Sequence, residues 1–375
     1  MLSSSDTMRT PSLLLDLDRV TRNAARMSET AHRNNVRLRP HIKTHKCIEV
    51  ARIQTEGHDG AITVSTLEEA RAFAKHGFTD ITYAVPIEKG KFADAVEIKH
   101  GGVRLNLLTD DPATVDELNK AAGDAGEKFD VFLKIDCGTH RVGVEPNSAA
   151  TVNIPRQITD AANLNFAGVL THAGHSYDVR TKEQILKIAH HERDVMVGLA
   201  ERLRSDGIEV PCVSIGSTPT MTHVDHLDGI DEIRPGNYIF FDGYQATLGS
   251  CSFDDTALTV LTAVIHKDAS PRKLVVDAGA IALSKDRGPT HLDPACGYGH
   301  VLDLEGNETG LRVSGMSQEH GEIAAGDNAA FDRIKVGDRL RILANHSCLT
   351  AAQHAFYNVI EDGLLIEQWQ IHRGW

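Results

Sequence analysis

Short apolar runs rich in β-branched residues alternate with amphipathic segments between residues 37 and 241. Such runs predict buried strands, and apolar residues at helical spacing predict the helices between them. The clearest helical pattern runs from Lys182 to Arg204, and Thr66 with Glu69 has the spacing of a capping box that opens another helix. The predicted strands are Arg37–Lys43, Ala61–Thr66, Ile81–Val85, Val103–Thr109, Phe129–Asp136, Leu164–Ala173, Cys212–Thr218 and Glu232–Phe241.

Eight strands, each followed by a helical stretch where the gap allows one, predict a (β/α)8 barrel. A doubly wound open sheet is the structural alternative, and we prefer the barrel because the repeat reaches eight within about the size typical of that fold. After Asp242 the long helical patterns end, and short strand-like runs separated by Gly and Asp follow. The sequence therefore predicts an α/β protein, a TIM-like barrel with a second, mostly β C-terminal domain.

Composition and charge limit the classes of protein to which the chain can belong. The chain has 375 residues, of which 41% are hydrophobic, so it can bury a sizeable core. Its net charge of −13 argues against nucleic acid and anionic membranes as partners. The six cysteines are scattered without a CxxC pair, which favours a reducing, cytoplasmic location. The first residues do not have the pattern of a signal peptide, and no apolar run has the length of a membrane helix.

Polar residues gather where the predicted barrel strands end. The active sites of such barrels are built from the loops at the C-terminal ends of the strands, and five of these ends carry reactive or ligand-binding side chains. Lys43 ends the first predicted strand, while GSTPT (Gly216–Thr220) and PGNY (Pro235–Tyr238) belong to the seventh and eighth. The residues that follow the fifth and sixth strands are Arg141, His172, His175 and Tyr177.

Two of these segments suggest a phosphate site beside a lysine. Small residues in GSTPT and PGNY let backbone N–H groups and hydroxyls approach a phosphate, and the loops after strands 7 and 8 often bind phosphate in barrels. The first strand neighbours the eighth around a closed ring, so Lys43 would lie next to that phosphate, an arrangement that suits pyridoxal phosphate. Each element alone has a simpler explanation, because a lysine at a strand end is usually solvated and GSTPT can be only a turn.

Six segments occur in a set order along nearly the whole chain: RPHIKTHK, CGTHRVGV, LTHAGHSY, SIGSTPT, RPGNYIFFD and ANHSC. The ordered set resembles the fold-type III pyridoxal-phosphate enzymes, in the alanine racemase-like branch that includes D-threonine aldolases, D-serine dehydratases and D-threo-3-hydroxyaspartate dehydratase. The resemblance implies that Lys43, and not Lys46, forms the Schiff base with pyridoxal 5'-phosphate and that Arg141 contacts its phenolic oxygen. The other cofactor-binding residues that we assign with it are His172, Gly216, Ser217, Thr218, Gly236, Asn237 and Tyr238.

The same resemblance implies a domain organisation and an oligomeric state. The first strand, about Pro11 to Leu17, would join the C-terminal domain. We therefore predict a cofactor-binding barrel at residues 18–248 and a β domain made of residues 1–17 and 249–375. Enzymes of this kind are head-to-tail homodimers with the active site at the subunit interface, and the same is expected of this chain.

His346 and Cys348 form a candidate metal site near the C-terminus. Residues two apart on a strand point to the same face, so an imidazole and a thiolate could bind one cation there. This ligand pair favours Zn²⁺, with Mn²⁺ or Mg²⁺ possible because a shell completed by water and substrate leaves the protein little selectivity. HxC pairs also occur by chance, but the resemblance implies a divalent metal at this segment.

The metal segment also separates the branches of the family. Aldolases typically have HxDPT there, whereas this chain has cysteine at position 348 and no proline before Thr350, so the resemblance implies the dehydratase branch. We therefore predict a carbon–oxygen lyase that converts a small D-3-hydroxy amino acid, D-serine or D-threo-3-hydroxyaspartate, to a 2-oxo acid and ammonia. His175 and Tyr177 are further catalytic candidates.

Four alternative functions stay open at this point. A D-threonine aldolase-type carbon–carbon lyase would use the same residues, and an amino-acid racemase would need a second base such as Tyr298 or Tyr357. A non-catalytic pyridoxal-phosphate-binding barrel would need neither metal ligands nor a second domain. A metal-dependent hydrolase would carry its ligands on barrel strands.

Overall fold

The structure is a computed structural model and describes residues 8–375. The chain divides into two compact units: a barrel unit of residues 25–43, 48–236 and 372–375, and a β unit that contains residues 44–47 and 237–371 together with the described N-terminal residues up to 24. The first seven residues of the predicted β domain lie outside the described part of the chain. The helix Leu17–Arg33 begins in the β unit and ends in the barrel unit.

The barrel unit is built on eight parallel strands that follow chain order around the sheet. A parallel bridge between His41 and Thr63, with a hydrogen bond of 2.9 Å from Thr63 N to the Pro40 carbonyl, joins the two ends of that order. The barrel prediction is confirmed, and a doubly wound order, which places the first strand inside the sheet, is excluded. The strands are Arg37–Leu38, Ile62–Val64, Asp80–Tyr83, Arg104–Thr109, Phe129–Lys134, Leu164–Leu170, Val213–Ile215 and Glu232–Ile233.

Helices follow most of these strands. The predicted capping box is present, since Thr66 Oγ1 accepts from Glu69 N and the Glu69 carboxylate accepts from Thr66 N. The long predicted helix is observed as Lys182–Ser205, and Thr181 accepts a hydrogen bond from Gln184 N at its start. The other helices of the unit are Ile48–Thr55, Leu67–Ala74, Phe92–His100, Pro112–Ala125, Ala150–Asp160 and Thr218–His223, with 3-10 turns at Lys89–Lys91 and Gly174–Tyr177.

The observed strands are shorter than the predicted ones, and for the first and the eighth the difference falls at predicted site residues. The first ends at Leu38, and Lys43 lies instead in a 3-10 turn, Ile42–Thr44. The eighth ends at Ile233, and a 3-10 turn follows at Asn237–Ile239. A proline comes shortly after each observed strand end, and proline cannot donate a hydrogen bond to a neighbouring strand.

A buried ion network holds the first, third and eighth barrel strands together. Arg39 donates from Nε to Glu232 Oε2 at 2.6 Å and from one terminal nitrogen to Asp80 Oδ1 at 2.7 Å. The hydrogen bond and charge of Arg39 outweigh the effect of burial and hold the pKa of Asp80 well below its usual range. Because Arg39 and Glu232 are almost fully buried, removing one partner would leave a charge without compensation.

The β unit is organised around the N-terminal strand Ser12–Asp16. This strand pairs antiparallel with Leu258–Ala269 and parallel with Phe356–Glu361, so it lies in the C-terminal sheet as predicted. The other strands are Arg272–Val276, Gly299–Leu302, Glu308–Arg312, Gly315–Met316, Gly321–Ala324, Arg339–Ala344 and Leu364–Gln370. Short helices occur at Gly243–Leu248, Ala280–Leu283, Ala330–Arg333 and Ser347–Ala351, and a 3-10 turn at Phe253–Asp255. Among residues 8–375, no helix has both the length and the apolar character required to cross a membrane.

Candidate active site

Three predicted residues from separate barrel loops form one neighbourhood. His172 follows the sixth strand, and its ring nitrogen Nδ1 donates to the Gly216 carbonyl at 3.2 Å, after the seventh strand. Burial, together with the positive charge of Lys43 after the first strand, lowers the pKa of His172 well below its ordinary value. The ring is therefore neutral, with its proton on Nδ1, and the neighbourhood gains no further positive charge from it.

The GSTPT segment is a tight, buried turn rich in hydroxyl groups. Ser217 and Thr220 form a capping box at the start of Thr218–His223, and Ser217 Oγ lies 2.9 Å from Ser176 Oγ. Gly216 has φ of +114°, and a Cβ there would come within 3.1 Å of Met221 Cγ. Glycine is thus required by both backbone conformation and space, as expected of a turn that a ligand approaches closely.

Glu192, on the long helix Lys182–Ser205, holds this turn in place through hydrogen bonds. Its role was not predicted from the sequence. Its Oε1 accepts hydrogen bonds from Ala173 N at 3.0 Å and Gly216 N at 3.1 Å, and its Oε2 accepts from Thr220 Oγ1 at 3.4 Å. The side chain is fully buried, and burial raises its pKa. The sequence did contain one indication that Glu192 is buried: position 192 falls seven residues after Ile185, on the apolar face of the predicted helix.

Replacing Glu192 with alanine is expected to lower the free energy of unfolding by about 2–5 kcal/mol, because two backbone N–H groups lose a buried acceptor. Glutamine is the matched control. Its Oε1 can still accept from both N–H groups while its amide donates to Thr220 Oγ1, so a loss below about 1 kcal/mol is expected. Urea unfolding at fixed cofactor concentration compares the two variants, and equal losses would contradict the role given to the acceptor.

Two further buried cations lie in the barrel unit and were also missed. Arg234 donates from Nε to Ser214 Oγ at 2.7 Å and from a terminal nitrogen to the Thr171 carbonyl. Lys134 donates from Nζ to the Ile135 carbonyl at 3.0 Å, and burial with the nearby charge of Arg234 lowers its pKa to about 8. Buried cations are costly unless an anionic partner is near. Glu192 supplies negative charge near both cations and Glu232 near Arg234, an arrangement that is visible only once the strands are assembled.

The remaining predicted residues of the barrel unit are not joined by contacts of the kind that link His172 and Gly216. His175 and Tyr177 are partly buried on the 3-10 turn Gly174–Tyr177, and His175 Nδ1 lies 3.3 Å from Thr139 Oγ1. Burial lowers the pKa of His175. Arg141 is exposed on the loop after the fifth strand, and Gly236 is a buried residue at the end of the eighth-strand segment. Their roles stay predictions.

The residues of the barrel unit fit pyridoxal phosphate. The GSTPT turn is buried and rich in hydroxyl groups, a chemistry that suits a phosphate. Lys43, Lys134 and Arg234 supply positive charge, which suits an anionic ligand. Lys43 Nζ is a primary amine next to a neutral imidazole, so it is chemically able to condense with an aldehyde.

The predicted metal pair does not lie on a strand. The strand Arg339–Ala344 ends before His346, which precedes the short helix Ser347–Ala351, so the prediction that the pair shares one face of a strand is wrong. Asp242 Oδ2 accepts from Ser347 N at 3.0 Å and holds this turn instead. The two side chains nevertheless come within hydrogen-bond reach of each other.

Cys348 has the surroundings of a thiolate. Its Sγ lies 3.3 Å from Thr44 Oγ1, in the residue that follows Lys43 in the chain, and 3.5 Å from Asn237 Nδ2. Burial raises the pKa of this thiol, but hydrogen bonds from His346, Thr44 and Asn237 outweigh it and bring the pKa to about 7. The Asn237 side chain therefore contacts Cys348, together with Asp242 and Ser347, and its predicted role at the phosphate stays a prediction.

His346 and Cys348 fit a divalent metal ion. The Nδ1 atom of His346 lies 2.7 Å from Asp286 Oδ2, which leaves Nε2 as the nitrogen for a ligand, and thiolates are the form of cysteine that binds metals. Imidazole with thiolate is a donor set that Zn²⁺ prefers. Tyr238, also predicted at the cofactor, belongs to the β unit and is fully buried.

Two other groups of possible metal ligands occur among residues 8–375: His190 with Asp225 and His226, and Asp136 with His140 and Glu145. Hydrogen bonds already account for their arrangement. Asp136 Oδ1 accepts from two backbone N–H groups of its own loop, and Asp225 Oδ1 accepts from His226 N. These carboxylates therefore stabilise local loops, and both groups include strongly exposed members.

Comparison with known proteins identifies the family. The model of "Alanine racemase, N-terminal domain" matches residues 15–243, and that of "Putative serine dehydratase domain" matches residues 257–360. Over 98% of both chains, the sequence is 40% identical to D-threo-3-hydroxyaspartate dehydratase of Delftia sp. and 37% identical to D-serine dehydratase of Dictyostelium discoideum. It is 29% identical to D-threonine aldolase of Arthrobacter sp., over 96% of this chain and 92% of that one.

A solved structure of a D-threo-3-hydroxyaspartate dehydratase matches with a TM-score of 0.94 and 39% identity over 99% of each chain. It is a cysteine-to-alanine variant in the metal-free form, and a second solved variant replaces a histidine two positions before that cysteine. The resemblance predicted from the sequence motifs is confirmed, and the named relatives are lyases of a pyridoxal-phosphate fold. The chain belongs to the family in which an alanine racemase N-terminal domain is followed by a putative serine dehydratase domain.

Proposed function

We propose that the chain is a lyase, dependent on pyridoxal phosphate and a divalent metal, that converts D-threo-3-hydroxyaspartate or D-serine to a 2-oxo acid and ammonia. One observation carries the proposal: the Cys348 side chain lies within hydrogen-bond reach of His346, whose Nδ1 is already bonded to a carboxylate. The relatives' variants, at a histidine and a cysteine two positions apart, have the spacing of His346 and Cys348.

In this proposal the residues of the barrel unit bind the cofactor and move a proton. Pyridoxal phosphate, when bound, would supply an electron sink that acidifies the Cα–H bond of the amino acid. Lys43 would hold the cofactor and then act as the base at Cα, because a partly desolvated amine beside other cations loses its proton more readily. His172, kept neutral on the Gly216 carbonyl, would fix the position of the phosphate turn.

The β unit would contribute the metal ligands. A divalent ion, Zn²⁺ in preference to Mn²⁺ or Mg²⁺, would supply Lewis-acid assistance to the departure of the β-hydroxyl group. His346 and Cys348 would hold it, with Thr44 and Asn237 keeping the sulfur ionised through hydrogen bonds. Loss of the Cα proton and the β-hydroxyl together removes one water, and hydrolysis of the resulting enamino acid would give the 2-oxo acid and ammonia.

The alternative is an aldolase that breaks the Cα–Cβ bond to give glycine and an aldehyde. The lower identity to the aldolase and the cysteine at position 348 favour the dehydratase. A racemase is disfavoured because Tyr357, a candidate second base, is fully buried and donates to the His45 carbonyl at 2.7 Å. Burial also raises the pKa of Tyr357 well above its ordinary value.

Two further parts of the proposal concern the assembly and the compartment. We expect a homodimer, as the sequence resemblance implies, in which both subunits contribute to each active site. A cytoplasmic enzyme is consistent with six cysteines that are all free thiols. Mass measurement in solution at low micromolar concentration tests the first point.

The test of function is product identification with purified enzyme, pyridoxal phosphate and Zn²⁺ or Mn²⁺. D-serine, D-threonine and D-threo-3-hydroxyaspartate are supplied separately, with the L-enantiomers as controls. A 2-oxo acid with an equal amount of ammonia is expected from D-serine or D-threo-3-hydroxyaspartate. Glycine with an aldehyde would make the enzyme an aldolase, and recovery of the opposite enantiomer would make it a racemase.

A further inference from the structure

A carboxylate lies behind the predicted metal ligand His346. Asp286 Oδ2 is 2.7 Å from His346 Nδ1, and both residues belong to the β unit. An ionised carboxylate can only accept, so the hydrogen atom in this contact resides on Nδ1. In the neutral ring the lone pair is then on Nε2, which is the arrangement that a metal requires of its ligand.

Asp286 is itself held in place by its loop. Its second oxygen, Oδ1, accepts from Gly288 N at 2.7 Å, so each carboxylate oxygen has its own partner. The loop is fixed on both sides of the residue: Thr350 Oγ1 donates to the Leu283 carbonyl at 2.9 Å, and Asn345 Nδ2 donates to the Arg287 carbonyl at 2.8 Å. Asn345 and Thr350 flank the metal segment, so one set of contacts positions both the carboxylate and the imidazole.

We infer that Asp286 is a positioning residue that sets the tautomer and ring orientation of His346 for metal binding. The inference rests on the proposed function, since it assigns His346 to the metal. Partners of this kind, one step removed from the ion, typically change metal affinity by about 10–100-fold when they are replaced. Sequence spacing did not reveal it, because Asp286 and His346 are far apart in the chain.

Asparagine at position 286 provides a sharper test than simple removal. Its carbonyl oxygen can replace Oδ1 as the acceptor for Gly288 N, but its amide then donates towards His346 Nδ1. That contact favours the tautomer with hydrogen on Nε2, which opposes the metal. We therefore expect D286N to bind the metal more weakly than D286A, which merely releases the ring.

Asp293 offers a matched control in the same loop. Its Oδ1 accepts from Ala295 N at 2.9 Å, the same contact to the residue two positions on that Asp286 makes with Gly288. D293N therefore removes the same negative charge and alters the same kind of loop hydrogen bond as D286N. It does so at a position away from the His346 ring. A general effect of loop charge would appear in both asparagine variants.

The experiment measures Zn²⁺ dissociation constants of wild type, D286N, D286A and D293N by competition with a chromophoric chelator. Cofactor content and the urea midpoint are recorded in parallel as checks on folding. D286N is expected to raise the dissociation constant about 10–100-fold, with D286A between it and wild type and D293N within about twofold of wild type. Histidine ¹⁵N shifts of the Zn²⁺-loaded wild-type enzyme should show hydrogen on Nδ1 of His346 and the metal on Nε2.

Three results would overturn the inference. Equal Zn²⁺ affinity in wild type and D286N would show that Asp286 does not position the ligand, while the proposed lyase function would stand. Absence of Zn²⁺ and Mn²⁺ binding in wild type would overturn the inference and the metal dependence of the proposed function together. A loss in D286N that is matched by D293N, or by a fall in urea midpoint, would assign the residue a structural role instead.

Discussion

Replacing Lys43 with alanine is expected to abolish turnover, lowering kcat by at least about 10⁴-fold, the upper end of what a general base alone contributes. The loss is this large because one amine is asked to hold the cofactor and to carry the Cα proton. The 3-10 turn Ile42–Thr44 keeps this side chain close enough to His172 to depress the pKa of that ring.

Lys46 provides the control for that variant. It is three residues further along the same RPHIKTHK segment and is also partly buried, so K46A should retain activity within about tenfold. Borohydride reduction of the wild-type holoenzyme followed by peptide mass analysis should place the cofactor mass on Lys43. Recovery of that mass on Lys46, or full activity in K43A, would contradict the assignment.

Removing either metal ligand is expected to have the second largest effect. H346A and C348A should each lower kcat about 10³-fold, which corresponds to about 4 kcal/mol of lost Lewis-acid stabilisation. Binding of the cofactor should persist, because the residues that fit its phosphate lie in the barrel unit. Metal content by elemental analysis and the cofactor absorption spectrum separate these two outcomes.

C251A is a suitable comparison for C348A, since Cys251 is a partly buried cysteine of the same unit and forms no disulfide. It should retain metal and activity. If C348A kept one equivalent of Zn²⁺ and wild-type activity, the metal would have to bind elsewhere, and the histidine and carboxylate groups at His190 and Asp136 would be the first places to examine.

The regular parts of the fold could be predicted from sequence because they repeat a simple pattern. Each of the eight predicted strands overlaps an observed barrel strand, and the long helix was placed to within one residue of its end. The ends of strands were less predictable. Arg37–Lys43 has a continuous strand-like composition, yet the observed strand ends at Leu38, before Pro40.

Site residues that belong to a sequence motif were predicted. Residues whose role depends on contacts that form only on folding were missed. His346 and Cys348 were found from their spacing, but for a partly wrong reason, since a turn and not a strand brings them together. Glu192 and Asp286 contact partners that are distant in sequence, the GSTPT turn and His346 respectively. Nothing local distinguishes such carboxylates from solvated ones, although the position of Glu192 on an apolar face was a clue.

The N-terminal strand Ser12–Asp16 has a consequence for biosynthesis. Leu14 pairs with Thr259 on one side and with Asn358 on the other, and its side chain is almost fully buried. At translation rates of about 5–20 residues per second, the strand leaves the ribosome on the order of tens of seconds before its last partner exists. Until Leu258–Ala269 has been synthesised, three consecutive leucines have neither of these strands to pair with. The nascent chain must keep them from aggregating, and the β unit cannot be completed before the strand Phe356–Glu361 emerges, even if the barrel folds earlier.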